Sequence, residues 1–256
     1  MADPGVVTVG VTREDGTVLV AAGTATAGSG TAPRTFNLTA AQNVSLDFLR
    51  LDWVSATLGT ITTYVEIVGG FLTTIPALRA LKPLDNPAVY LTADLIDART
   101  AAETALEDAC GVAFVPRYFR ERLDGSGGQD VLLDHVRPLT VTAATVDGSV
   151  VDASELELYR DGRVYRPGGW SRGRRNVELK GTAGYAFPPP RVGLAVQKLV
   201  KQILIQNPIS DRAVSFQTDD GVVQYFLNEG VRGLCFSIPE AQVCVNEYAV
   251  SRVSVA

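Results

Sequence analysis

Apolar residues recur along this chain with two different periods, and the switches between them divide it. From Val6 to about Val68 the period is two: VVTVGVT, TVLVAAGTATA, LDFLRLDW and TITTYVEIVGG are short β-rich runs, the first two separated by EDG and the second closed by GSG. Turn-separated runs rich in Val, Thr and aromatic residues predict a small β-sandwich of the immunoglobulin-like kind over residues 1–75. PALRALKPLDNP then predicts a short helical piece and a proline-marked linker over 76–90. In LTADLIDARTAAETALEDACG the period becomes helical, with Leu95, Ala98, Ala102, Ala105, Leu106 and Ala109 on a repeating face. Thr92 is the expected N-cap, Asp94 suits the first turn and Gly111 the stop, so the helix spans 92–110.

From 114 to 186 the period returns to two, with turns every eight to twelve residues at DGSGG, DGS and DG. That spacing predicts an inserted antiparallel sheet of hairpins. The run Pro188–Pro190 ends the sheet, because proline cannot donate to a ladder but can begin a helix. The helix it begins, 190–206, carries Val192, Ala195, Val196, Leu199, Val200, Ile203 and Leu204 on one broad face. Residues 214–256 predict two short strands around a DG turn and then an extended arm. Taken together, the elements define an α+β fold with a third segment, 91–256, built on helices with an inserted sheet.

Bulk properties narrow the function. In 256 residues, 46% are hydrophobic and 20% charged, enough to bury a sizeable core. The formal net charge is -5, from 23 basic and 28 acidic residues, which argues against a broadly basic nucleic-acid binder. The start, MADPGVVTVG, does not have the form of a signal peptide, and no run has the apolar length of a membrane helix. Cys110, Cys235 and Cys244 are widely spaced and include no CxxC pair, so neither a disulfide framework nor a zinc site is indicated, and a reducing cytoplasm is the expected compartment for folding.

Candidate chemistry is sparse. The single histidine, His135, lies between apolar runs and no nucleophile motif accompanies it. Neither HExxH, GK[ST] nor GxGxxG is present. Glu155 and Glu157 fall two apart in an expected strand, and Asp219 and Asp220 precede Gly221; the first pair predicts a solvated face and the second a turn. We therefore expect no enzyme activity, no cofactor and no metal.

The stretch YRDGRVYRPGGWSRGRRN, residues 159–176, contains six arginines and one acid. Interleaved Tyr159, Tyr165 and Trp170 fit single-strand binding in outline. However, Asp161-Gly162 and Pro167-Gly168-Gly169 punctuate it as a hairpin and turn, with Arg163 and Tyr165 on one face and Val164 on the other. Arginine and tryptophan are also enriched at protein interfaces, and we favour that reading.

The order of the pieces resembles the head-to-tail adaptor (connector) proteins of long-tailed bacteriophages, of the kind carried by phages that infect actinobacteria. Three features carry the likeness: ALEDACG followed by FVPR, TAGY just before a proline-led helix, and the closing SDRAVSF…DDG…IPEAQVCVNEY. It covers residues 83–256 and extends less fully to the N-terminal module. The resemblance implies a structural virion protein that forms a ring, commonly of twelve copies, between the portal and the next neck protein, a stopper or tail terminator. Genomic DNA would pass through its lumen without sequence-specific binding, and no membrane would be involved. Assembly would occur in the host bacterial cytoplasm.

On this reading the helices at 92–110 and 190–206 form the ring scaffold, and Trp170, Arg172, Arg174 and Arg175 form a subunit or neck interface with Trp170 as anchor. Ile238, Val243, Val245, Tyr248, Val250 and Val253 would belong to a docking arm, since apolar residues there alternate as in an added strand. The alternative is a surface adhesion or carbohydrate-binding module built on the β-sandwich. Sugar binding usually needs an aromatic platform, and the N-terminal module offers Phe36, Phe48, Trp53, Tyr64 and Phe71.

Overall fold

A computed structural model of the chain describes residues 5–26, 34–205, 215–218, 221–224, 236 and 238–250. Pro208, Asp219, Asp220, Cys235 and Val253 lie outside the described residues. The fold is α+β, and its contacts group the chain into two compact units, Met1–Gly70 with Pro116–Gly184, and Phe71–Val115 with Tyr185–Ala256.

The first unit opens with β1 (Val7–Arg13), β2 (Val18–Thr24), β3 (Asp47–Ser55) and β4 (Gly59–Ile67). All are antiparallel, in the order β2-β1-β3-β4. Alternation decides which face is buried: Val7, Val9 and Val11 of β1 and Leu49 and Leu51 of β3 point inward, under a cover that includes Phe36, Leu38 and Leu46.

The unit continues with β5 (Arg117–Gly125), β6 (Asp130–Leu132), β7 (Pro138–Val146), β8 (Ser149–Val151), β9 (Glu157–Leu158), β10 (Arg163–Tyr165) and β11 (Gly173–Ala183). They form two sheets, ordered β5-β11-β7-β8 and β6-β10-β9. A single core fills the space between them. It includes Phe119, Val131, Leu133, Val146, Val164, Trp170, Val177 and Leu179. The expected hairpin is present, with Val164 fully buried and Arg163 exposed. Glu155 departs from expectation: it closes a 3-10 turn, Ala153–Glu155, rather than sharing a strand with Glu157. Asp152 caps that turn by accepting from the Ser154 amide, and so draws Glu155 out of the ladder.

The second unit contains α1 (Ile75–Arg79), α2 (Thr92–Cys110), α3 (Pro190–Leu204), the antiparallel pair β12 (Ser215–Thr218) and β13 (Gly221–Gln224), and α4 (Pro239–Tyr248). Helix α2 packs on α3, and α3 on α4. Burying Leu95 and Leu106 of α2 completely contributes on the order of 2 kcal/mol each. Gly111 ends α2 in the left-handed conformation (φ 65°), where a side chain would be strained. The N-cap differs from expectation: it is Leu91, whose amide donates to Asp94, while the Thr92 hydroxyl accepts from Arg79. In α3 the buried face is Val192, Ala195, Val196, Leu199 and Val200, and Ile203 is exposed.

The expected extended arm is corrected over half its length. Residues 239–248 are helical, so Val243, Val245 and Tyr248 are spaced around α4 rather than along one strand face, with Ile238 at its N-cap and Val250 just beyond its end. Pro239 at the first helical position and Glu240 in the first turn favour the helix start. Ala241, Cys244 and Val245, at i, i+3 and i+4, are then the buried stripe.

Candidate interaction surface

Two of the arginines on β10 and in the turn that follows it serve the fold. The guanidinium of Arg163 lies 4.3 Å from the centre of the Tyr159 ring and about 4 Å from carboxylates of Asp130 and Asp161. That of Arg166 donates to the Gly169 carbonyl (3.0 Å) and lies over the Trp170 ring. Both are built into the hairpin and its following turn.

Arg172, Arg174 and Arg175 differ. All three are exposed, and none forms an ion pair among the described residues. Arg175 has φ 51°, and its amide donates to Asp124 across the mouth of the β5–β11 pair. The register between Gly173 and Val177 is broken there, so Arg174 and Arg175 fall in the irregular part of the ladder. All three arginine side chains expected to form the interface are therefore at the surface.

Trp170 does not join them. Its side chain is 1% exposed and belongs to the core between the two sheets, while its amide donates to Gly128 (2.7 Å). A side chain so enclosed cannot anchor a neighbour. The residue expected to anchor an interface instead closes the core of its own unit.

His135 has a structural arrangement. Its Nδ1 lies 2.5 Å from Glu121, whose carboxylate also accepts from the amides of Asp134 and His135, and its ring stacks on Phe119. Burial pushes the Glu121 carboxyl up, but the His135 hydrogen bond and then the two amides outweigh it and hold it below 4.5. The group clips a loop to β5. Nearby in the unit, a cleft of about 450 Å³ is lined in part by Arg13, Asp15, Asp47, Tyr118 and Lys180. Arg13 there is engaged by Asp47 at 2.8 Å and by Ser45 at 2.7 Å. Tyr118 donates to Glu14; burial and that carboxylate push its hydroxyl well above the usual tyrosine range. Arg120 pairs with both Glu14 and Glu178, and Arg117 with Glu66. Among the described residues no group of three or more His, Cys, Asp or Glu side chains is placed to hold a metal.

Sequence reasoning missed two acids on α2, one buried, Glu107, and one half-buried, Glu103. Glu107 accepts from the Phe114 amide (2.7 Å), and Glu103 accepts from the amides of Leu72 (2.8 Å) and Thr73 (3.3 Å). Each fastens a chain segment next to a crossing between the two units, which the assignment of residues places at 70/71 and 115/116. The available signal was position: both lie on the helix face that carries Leu95, Ala102 and Leu106.

Burial pushes the Glu103 carboxyl above its ordinary 4.5, and the Leu72 and Thr73 amides offset this only in part. A raised folded value makes its contribution largest below the unfolded carboxylate range, and that contribution is lost as pH rises through the folded one. Glu103→Gln keeps an acceptor without the buried charge. Its urea midpoint relative to the native chain should therefore rise between about pH 4 and pH 7. A constant difference would contradict the burial effect.

No protein-family profile matches the chain, and no curated protein does. Among solved structures it is similar to a chain described as the neck of a native GTA (gene transfer agent) particle computed with C12 symmetry. Identity is 21%, the TM-score is 0.45, and the match covers 73% of this chain and 97% of that one. No helix among the described residues is long and apolar enough to cross a membrane.

Proposed function

We propose that this chain is a structural protein of a phage-like head-to-tail neck: an adaptor that assembles as a ring below a portal and lets DNA pass. The observation that carries the reading is the element order along residues 92–204. A glycine-stopped helix, an inserted antiparallel sheet and a proline-led amphipathic helix follow one another as in the adaptors the sequence resembles. Heterologous contact between identical copies closes into a ring when the rotation permits. The test is to mix purified protein with DNA-filled heads lacking a neck, sediment them and count bound copies. About a dozen per head, at a fixed ratio, is expected from a closed ring of this class. No binding to heads that still accept tails would refute it.

Arg172, Arg174 and Arg175 supply a basic patch on a chain of net charge -5. A surface past which DNA slides is better served by a local patch than by a broadly basic lumen, and desolvated arginines are strong interface contributors. These three residues meet an acidic surface on a neighbouring subunit or neck protein. Replacing all three by serine should reduce copies bound per head by about tenfold or more, with little change in DNA affinity in a salt titration. Normal particle formation with failed genome retention would assign the patch to the lumen instead. Ile238, Val243, Tyr248 and Val250, on and around α4, belong with the surface that meets the portal or the next neck protein; of the same expected arm, Val245 is buried in the packing of α4 and Val253 lies outside the described residues.

A further inference from the structure

The least protected feature among the described residues is the outer edge of β4. This strand of nine residues pairs with β3 without a break in register from Asp47↔Ile67 to Ser55↔Gly59, and its other edge is unpaired among the described residues. Free edges are usually blunted by lysine, proline, a bulge or a cover. In β4 there is no lysine, no proline and no bulge, and its single charge, Glu66, pairs with Arg117. The opposite edge strand, β2, has two register shifts against β1.

A second observation concerns the core face. On β1 and β3 this face is buried, whereas on β4 Ile61 is 60% exposed and Val65 45% exposed. Thr63 between them accepts from the Trp53 indole at 2.9 Å, which holds the face in place. The apolar side of the sheet thus extends past its cover to an edge that is unpaired among the described residues.

The strand is also complementary to itself. If β4 meets another β4 antiparallel with Thr63 opposite Thr63, all nine positions are matched. Ile61 then faces Val65 twice, Thr62 faces Tyr64, and Glu66 faces Thr60, so no like charges meet. Centring the two-fold on Thr62 instead sets both isoleucines against Thr63, and centring it on Tyr64 sets both valines there. We propose that the free edge of β4 pairs antiparallel with the β4 edge of a second copy of this chain, in the Thr63-centred register. Such a contact is isologous and closes on two copies, so it cannot by itself build a ring. It stands independently of the neck reading.

The full chain should show a monomer–dimer equilibrium in sedimentation equilibrium. Ile61→Lys with Val65→Lys should weaken that association by at least about tenfold; at a concentration low enough for both chains to be monomeric, the thermal midpoint should stay unchanged, because both side chains are exposed. Register is read with cysteines in a Cys235→Ser background, where Cys110 and Cys244 are buried. Thr63→Cys should cross-link to itself on oxidation. Thr60→Cys should not, since its copies lie six residues out of register, roughly 20 Å apart. A chain that stays monomeric at every concentration overturns the proposal. So does a dimer insensitive to the two lysines, or cross-linking of Thr60→Cys as efficient as that of Thr63→Cys.

Discussion

Trp170→Ala should destabilise the protein by about 3–5 kcal/mol, the range for removing a fully buried aromatic from a packed core. The indole lies between the sheets among Phe119, Val164, Val177 and Leu179, and is 1% exposed. Against a typical total of about 5–15 kcal/mol, this loss is large enough to lower the thermal midpoint by roughly 10 °C. Trp170→Phe should behave differently. The indole Nε1 is buried without a hydrogen-bond partner among the described residues, so phenylalanine removes an unsatisfied donor while filling most of the space. Its cost should fall within about 1.5 kcal/mol. The pair separates core from interface: an interface anchor replaced by alanine would leave the isolated chain as stable as before and weaken only assembly. Urea unfolding of the free protein distinguishes the two, and an unchanged midpoint for Trp170→Ala would restore the interface role.

The helix at 92–110 was legible from local signals. Its apolar stripe and Gly111 stop are short-range features, and the α2 boundaries coincide with them. The alternation of β5, β7 and β11 was equally legible, because one face of each strand is buried and period two follows directly. Trp170 was not. In sequence it sits among glycine, proline and arginine, and only the return of the chain to Gly128, forty-two positions earlier, places it in the core. The arm at 238–250 failed for a local reason: Val243 and Val245 imitate strand alternation, while the helix signals are one proline and small buried residues that make a weak stripe. Glu103 and Glu107 failed because an acid on a helix is ordinarily solvated. Their role depends on amides that only the tertiary structure brings to them. The exposed arginines were legible as a patch because charge density is a property of the sequence itself, although the division between structural Arg163 and Arg166 and outward Arg172, Arg174 and Arg175 depends on contacts.

Gly181→Ala should be among the most damaging single-methyl changes in the insertion. Gly181 lies in β11, the strand flanked by β5 and β7, facing Phe119 on one side and Val141 on the other. Pairing with β7 slips at this point, from Lys180↔Ala143 to Gly181↔Val141, leaving Thr142 as the extra residue of a bulge. The bulge brings the Thr140 carbonyl so close that a Cβ on residue 181 would lie 2.0 Å from its oxygen and 3.0 Å from the Val141 Cα. Both are backbone atoms in a paired strand, so relief requires parting β7 from β11 rather than rotating a side chain. The cost should be about 3 kcal/mol, at the upper end for overpacking, and larger for valine. Gly10→Ala in β1 is the control. There a Cβ meets only the Ala21 carbonyl oxygen, at 3.5 Å, and the Val20 carbonyl oxygen, at 3.9 Å, ordinary contacts, so the change should stay within about 0.5 kcal/mol. Urea midpoints measure the contrast, and faster amide exchange along β7 and β11 in Gly181→Ala would locate it. Equal midpoints for the two variants would mean that the bulge yields without cost, and that glycine at 181 is not what sets the register of the insertion.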